Sequence, residues 1–195
     1  MKKILLIGIL ITSLIQANDM TEEMCNSLSQ EAVEMRKAGE KKKANEAFIR
    51  LCADGCGKAC SWADKRDNKK GCEAKIPYGF SCYDMSYDET DEKKKLALKK
   101  KGCEAGYTMG CDFLAGDFAR EKNYGLALKY YNIGCDLGGD ECCGNLGMIY
   151  ARGDYGERND KKAYEYWSKS VKLNPNNAQS KGNLKVLCKN NPVCK

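Results

Sequence analysis

Three pairs of cysteines have seven residues between the two members, and this spacing restricts the fold more than any other feature of the chain. The pairs are Cys52 with Cys60, Cys103 with Cys111, and Cys135 with Cys143. An α-helix rises about 1.5 Å per residue, so positions eight apart on a continuous helix are separated by about 12 Å. A disulfide needs Cα atoms within about 7 Å of each other. A bond inside such a pair therefore requires the chain to turn between the cysteines.

Glycines supply that turn. The segment KGCEAGYTMGC, residues 101–111, contains Gly102, Gly106 and Gly110, and glycine readily adopts the positive φ with which many helices end. Apolar residues recur at helical spacing in 123–134, before Cys135, and in 144–153, after Cys143. We predict that the first cysteine of each pair closes one helix and the second opens the next, antiparallel helix.

The cysteine-bearing segments also repeat along the chain. Cys72 and Cys103 are 31 residues apart, and Cys103 and Cys135 are 32 apart. A period in the low thirties with two helices per unit is typical of a solenoid. The segment 161–171 keeps the helical pattern but has Val171 where the first cysteine would be and Gln179 eight positions later. Both cysteines are missing together, which indicates that they act as pairs.

The N-terminus predicts export. Lys2 and Lys3 precede an apolar run from Ile4 to Ile15, and Ala17 follows as a small residue suited to cleavage. Residues 1–17 are therefore predicted to be a signal peptide, with a cut that could shift by a residue or two. The run of 12 residues is shorter than the roughly 20 that span a bilayer, so we expect no membrane span after cleavage and a secreted or periplasmic protein.

Export in turn decides how the cysteines are interpreted. Thirteen cysteines in an exported chain indicate a disulfide framework. Zinc sites favour closer cysteine pairs, usually with histidine, and the chain has no histidine. Cys52, Cys56 and Cys60 leave a metal cluster open as an alternative that lacks a fourth ligand. We expect no metal and no cofactor.

No nucleic-acid motif accompanies the net charge of +6, so we expect no nucleic-acid partner.

The elements C-x₇-C, LGMIYARGD and DKKAYEYW resemble Sel-one-like (Sel1-like) repeats, which are related to tetratricopeptide units, and the exported cysteine pairs resemble the secreted cysteine-rich Hcp family of such proteins. The resemblance implies an all-α, right-handed solenoid of helix–turn–helix repeats linked by disulfides. It implies a single domain, 18–195, after the signal peptide. The expected units are 22–54, a degenerate 57–74, 79–105, 108–137, 140–173 and a capping helix at 176–188.

Six bridges are expected in this architecture, and the cysteine spacing and the antiparallel helices suggest their partners. They are Cys52–Cys60, Cys72–Cys82, Cys103–Cys111, Cys135–Cys143, Cys188–Cys194 and, as a plausible sixth, Cys25–Cys56. Because thirteen is odd, at least one thiol is left over, and Cys142 is the candidate.

The sequence is compatible with two alternative functions. The Hcp resemblance implies weak penicillin binding and β-lactam hydrolysis, with a β-lactam or a cell-wall peptide as ligand. No serine has lysine three positions later, so the S-x-x-K motif of serine β-lactamases is missing, and the catalytic residues are unknown. The alternative is a non-catalytic scaffold that binds a protein or peptide in a concave groove. The groove candidates are Asn145, Arg152 and Asn183, polar residues of presumed first helices.

Overall fold

The structure is a computed structural model that describes residues 20–63, 67–189 and 191–194. The predicted signal peptide, 1–17, lies outside these residues. The described residues form eleven α-helices and one short 3₁₀ helix, and none of them belongs to a β-strand. The prediction of an all-α fold is therefore confirmed. Within the described ranges, no helix is long and apolar enough to cross a membrane.

The helices divide between two compact units, one ending at Met85 and the other beginning at Ser86. They are α1 (Glu22–Lys37), α2 (Lys41–Ala53), α3 (Gly57–Trp62), α4 (Asn68–Glu73), α5 (Gly79–Asp88), α6 (Glu92–Glu104), α7 (Thr108–Arg120), α8 (Tyr124–Asp136), α9 (Asp140–Arg152), α10 (Asp160–Leu173) and α11 (Ala178–Cys188), followed by the 3₁₀ helix Pro192–Cys194. Helix α5 contains the boundary between the units.

The first unit is built around the helix pair α1 and α2. Ala32 of α1 packs with Ala44, Phe48 and Leu51 of α2 in one buried cluster. The ring of Trp62, at the end of α3, meets Phe48 edge-on with centroids 6.1 Å apart. Helices α3 and α4 have only six residues each, so this part of the unit buries little apolar surface of its own.

The second unit stacks longer helices around one core. Leu114 and Phe118 of α7, Tyr130 of α8 and Leu146 of α9 are buried in a common cluster. Helices α7, α8 and α9 have 13 residues each. Asparagine side chains cap α8 and α10, because Asn123 accepts from Leu126 N and Asn159 accepts from Lys162 N. Such caps satisfy backbone donors that the first turn of a helix leaves unpaired.

The corners between helices share one backbone geometry. Gly106, between α6 and α7, has φ of 90°, and Gly138, between α8 and α9, has φ of 91°. Tyr107 N donates to Gly102 O, and Gly139 N donates to Gly134 O at the second corner. These are the bonds of a Schellman turn, which ends a helix with a residue of positive φ. The turn predicted from the glycines is present.

Six pairs of cysteines lie at bonding distance across such corners and chain ends. Their Cα–Cα distances are 4.7 Å for Cys52–Cys60, 4.6 Å for Cys72–Cys82, 4.6 Å for Cys103–Cys111, 4.7 Å for Cys135–Cys143, 5.5 Å for Cys25–Cys56 and 5.4 Å for Cys188–Cys194. All of these distances suit a disulfide. Cys103–Cys111 and Cys135–Cys143 each span the turn between two consecutive helices.

Close packing beside the bridges requires small residues. A Cβ at Gly134 would collide with the Sγ of Cys142 on the next helix. At the corner without cysteines, Ser170 and Ser180 are both buried and their hydroxyl oxygens are 2.8 Å apart. This corner is therefore held by a hydrogen bond and small side chains instead of a disulfide.

Replacing both cysteines of one corner tests the role of the bridges. We expect Cys103→Ala/Cys111→Ala to fold and to lose about 2.5 kcal/mol of unfolding free energy, the value the chain-entropy relation gives for a short loop. Cys111→Ala alone should yield less correctly bonded protein from an oxidising compartment, because Cys103 is left to pair with another cysteine. Denaturant unfolding and non-reducing peptide mapping measure both effects.

The matched control is Cys142→Ala, which removes a buried sulfur but no bridge. Its loss of unfolding free energy should be smaller than that of the double variant. A peptide map that links Cys103 to Cys135, or a double variant as stable as the original protein, would contradict this account of the corners.

Candidate functional site

Helices α7, α9 and α11 are the first helices of their pairs in the second unit, and they present equivalent positions on one surface. Counted from the N-cap residues 107, 139 and 177, positions 2, 6, 9 and 13 fall on one side of each helix. We call this surface the first-helix face. Its described residues, all exposed or half-buried, are Met109, Phe113, Gly116, Arg120, Glu141, Asn145, Met148, Arg152, Gln179, Asn183 and Val186.

Direct contacts connect neighbouring helices of this face. Asn145 Nδ2 donates to the Oδ1 atom of Asp112 across 2.7 Å, and Gln179 Nε2 lies 2.9 Å from Met148 Sδ. The first contact joins α7 to α9, and the second joins α9 to α11. The three helices are therefore held side by side in a fixed register.

Two of the three predicted groove residues occupy the same position of adjacent helices. Asn145 and Asn183 both lie six residues after their N-caps. The amide of Asn145 is held by Asp112. The Nδ2 atom of Asn183 is buried and donates to no acceptor in the part of the chain that the structure describes. The face thus contains one anchored amide and one amide with an unused donor.

The third predicted residue, Arg152, shares its position with Arg120. Both follow their N-cap by thirteen residues. Arg120 forms an ion pair with Asp117. Asp117 forms a second ion pair with Lys99, whose Nζ atom lies 2.7 Å from Asp117 Oδ2. Arg152 is exposed, and no acidic partner is found for it among the described residues. The two arginines therefore differ, because Arg120 is paired with Asp117 of its own helix and Arg152 has no ion pair among the described residues.

Apolar side chains adjoin these polar groups. Met109 is 54% exposed, Phe113 is 46% exposed and Val186 is 78% exposed. Three apolar side chains of the first-helix face are therefore accessible to solvent. The face combines apolar contact area with amide and guanidinium groups.

The pKa values of two groups near the first-helix face, the carboxyl of Asp112 and the phenol of Tyr131, are raised, which favours their neutral forms. Burial raises the pKa of the Asp112 carboxyl, although its hydrogen bond from Asn145 acts in the opposite direction. Burial, helped by the negative charge of Asp112, raises the pKa of the Tyr131 phenol to about 12. Tyr131 is therefore a neutral phenol at physiological pH, and its hydroxyl oxygen is not activated as a nucleophile.

Cys142 lies outside every disulfide and is buried. Its thiol donates to the carbonyl oxygen of Thr108 across 3.5 Å. Burial, followed by the charge of Asp112, raises its pKa to about 12. The thiolate, which is the reactive form of cysteine, is therefore almost unpopulated at neutral pH.

The alternative of a cysteine metal cluster is contradicted by the positions of its members. Cys52 lies at bonding distance from Cys60, and Cys56 lies at bonding distance from Cys25. Sulfur atoms bonded in disulfides are not thiolate ligands. Among the residues that the structure describes, no group of histidine, cysteine, aspartate and glutamate side chains could hold a metal ion.

The apolar members of the face were missed by the sequence analysis. Met109 and Phe113 follow the helical spacing of core residues, and periodicity alone does not separate them from Leu114 and Phe118, which are buried. A usable signal was present, since aligning the segments on residues 107 and 139 places Phe113 opposite Asn145. Asp112 was missed because its role depends on its contact with the neighbouring helix.

Comparisons with known proteins agree with this architecture. The Sel1 repeat model matches residues 109–139 and 140–175, which correspond to the pairs α7–α8 and α9–α10. No curated protein sequence matches the chain at a significant level. The crystal structure of a Sel1 repeat protein from Oxalobacter formigenes is similar, with a TM-score of 0.59, 13% identity, and coverage of 86% of this chain and 81% of that chain. This likeness supports the fold alone. Residues 109–139 and 140–175 thus match the Sel1 repeat model and lie within an all-helical array with cysteine pairs at disulfide distance.

Proposed function

We propose that the protein is an exported scaffold that binds an extended peptide segment of another protein along the first-helix face. The observation that carries the proposal is the shared register of Asn145 and Asn183 on adjacent helices, next to exposed apolar side chains. A side-chain amide both donates and accepts, so it can pair with the peptide bonds of a ligand whatever its sequence.

The spacing of the helices fits an extended ligand. Packed helices lie about 8–10 Å apart, and an extended chain advances about 3.3 Å per residue. A segment that crosses α7, α9 and α11 would therefore present equivalent groups to Phe113, Asn145 and Asn183 about every third residue. Its apolar side chains would meet Met109, Phe113 and Met148, which supply the area that the amides lack.

Export is part of the proposal. The apolar N-terminal run that follows Lys2 and Lys3 is typical of a signal peptide. Six cysteine pairs at bonding distance are consistent with an oxidising compartment. A secreted or periplasmic scaffold meets both observations, and a cell-wall peptide is one class of ligand with the extended backbone that the face would accept.

Hydrolysis of β-lactams, which the Hcp resemblance implies, receives less support from the chemistry of the described residues. Fast acyl transfer needs a nucleophile activated by a nearby base. The pKa of Cys142 and that of Tyr131 are each raised to about 12, so neither group is ionised at neutral pH. Any turnover would have to come from ordinary carboxylates and lysines and would be slow.

Selection of peptides tests the binding face. A random library of 12-residue peptides with free C-termini should yield binders to the mature protein. For a selected peptide, Phe113→Ala should weaken binding about threefold to tenfold, because fully burying an aromatic side chain contributes about 1.5–3 kcal/mol, Phe113 is 46% exposed before binding, and 1.4 kcal/mol is a factor of ten. Asn145→Ala should also weaken it. Isothermal titration calorimetry gives the dissociation constants.

The matched control for Phe113→Ala is Leu173→Ala on the second helix α10, because Leu173 is exposed to a similar degree, 42% against 46%. Leu173→Ala should leave peptide affinity unchanged. Selected peptides that bind the Phe113 and Asn145 variants as tightly as the original protein would show that the first-helix face is not the binding surface.

Nitrocefin hydrolysis tests the catalytic alternative. We expect turnover well below the median enzyme value of about 10 per second, with the same rate in Cys142→Ala and in Tyr131→Phe, because both groups are protonated at neutral pH. The control is the protein after heat denaturation. Turnover near 10 per second that either substitution abolishes would make the chain an enzyme and would contradict the scaffold proposal.

A further inference from the structure

A cavity of about 430 Å³ lies at the C-terminal end of the second unit. It forms where the helix array ends. Helix α11 is followed by the three-residue 3₁₀ helix Pro192–Cys194, which packs against α10 and α11. A turn of three residues occupies less space than the 13- or 14-residue second helices of the preceding pairs. A space beside α10 and α11 is therefore left unfilled at this end of the array.

One wall of the cavity is apolar. It is formed by Ala151 at the end of α9, Trp167 of α10, and Val186 and Leu187 of α11. Trp167 is fixed, because its Nε1 atom donates to the carbonyl oxygen of Gly144 across 3.1 Å. Small-molecule sites commonly have 300–1,000 Å³ and mostly apolar linings, so the cavity is large enough for one or two amino-acid residues.

The rest of the lining is polar and carries positive charge. Arg158 and Lys189 line the cavity, and none of its lining residues in the described part of the chain is acidic. Asp160 binds Arg158 through two hydrogen bonds of 2.7 and 3.2 Å, and it also accepts from Asn191 at 2.6 Å. The charge of Arg158 is thereby balanced. Lys189 is exposed and has no acidic partner within the described ranges, so its charge is available to a ligand.

Asn183 connects the cavity to the first-helix face. Its side chain lines the cavity, and its Nδ2 atom is buried without a hydrogen-bond acceptor among the described residues. An unpaired buried donor costs about 1–3 kcal/mol. Rotation of the amide about its Cβ–Cγ bond would turn the donor toward the cavity, where an oxygen atom of a ligand could accept from it.

We propose that this cavity binds the C-terminal residue of the peptide, with its apolar side chain against Trp167 and its carboxylate between Lys189 and the amide of Asn183. The proposal rests on the proposed function, because Asn183 and Val186 belong to both the first-helix face and the cavity. It adds a polarity to the bound segment, since the chain must end at α11. The ligand class is therefore a peptide with a free carboxyl terminus and an apolar last residue.

The test uses two probes of the same size and side chain, N-acetyl-L-leucine and N-acetyl-L-leucinamide, of which the second replaces the charged carboxylate by a neutral amide. The chain has two tryptophans, Trp62 and Trp167, so a Trp62→Phe variant assigns the indole N–H resonance of Trp167 in ¹⁵N-labelled protein. We expect N-acetyl-L-leucine to shift this resonance in a saturable titration. We expect the amide to bind at least fivefold more weakly, because it lacks the charge that Lys189 attracts.

Two substitutions test whether Asn183 and Lys189 contact the carboxylate of N-acetyl-L-leucine. Asn183→Leu keeps the size of the side chain and removes its donor, and Lys189→Gln removes the charge. Each should bring the affinity for N-acetyl-L-leucine down toward that of the amide. Lys172→Gln, which changes an exposed lysine of α10 away from the cavity, is the control and should have no effect. Equal binding of the two probes, no shift of Trp167, or an equal effect of Lys172→Gln would overturn the proposal.

The results separate this proposal from the proposed function. If selected 12-residue peptides depend on Phe113 but the leucine probes do not bind, the face binds peptides without recognising their ends. If the leucine probes bind as expected but Phe113→Ala leaves peptide affinity unchanged, the cavity is a separate carboxylate site, and the proposal that peptides bind along the first-helix face is wrong.

Discussion

The covalent corner between consecutive helices is the constraint on which the second unit depends. A helix ends at a glycine of positive φ, and a cysteine just before that end lies 4.6–4.7 Å, Cα to Cα, from the cysteine in the first turn of the next helix. Helices in a repeat array contact only their neighbours, so each pair buries a limited apolar surface. The bridge limits the conformations of the unfolded chain and fixes the angle at which the next helix starts.

The corners also create the surface that we assign to binding. Because each first helix begins at an equivalent point, equivalent positions recur from helix to helix. This places Asn145 and Asn183 at the same position of adjacent helices, and the exposed Phe113 at that position of α7. The ends of the array matter for the same reason. Where α11 has no full second helix to cover it, Trp167 and Asn183 line a cavity that a ligand can enter.

The helical class and the glycine turns could be predicted from the sequence, because both follow from local rules of spacing and backbone conformation. Gly106 and Gly138 have the positive φ that their positions indicate. The site could be predicted only in part. Asn145 and Asn183 were identifiable as polar residues of first helices, but their shared register and the contact of Asn145 with Asp112 depend on how separate repeats pack. The packing of Cys142 over Gly134 was unpredictable for the same reason.

Amide hydrogen exchange under mild reduction tests the central claim most directly, because the corner at residues 171–179 provides an internal control without cysteines. Reduction should speed exchange at the corners 103–111 and 135–143. The 171–179 corner, held by the hydrogen bond between Ser170 and Ser180, should change least. Equal acceleration at all three corners, or no change at the two cysteine corners, would contradict the claim that disulfides hold the consecutive helices in register.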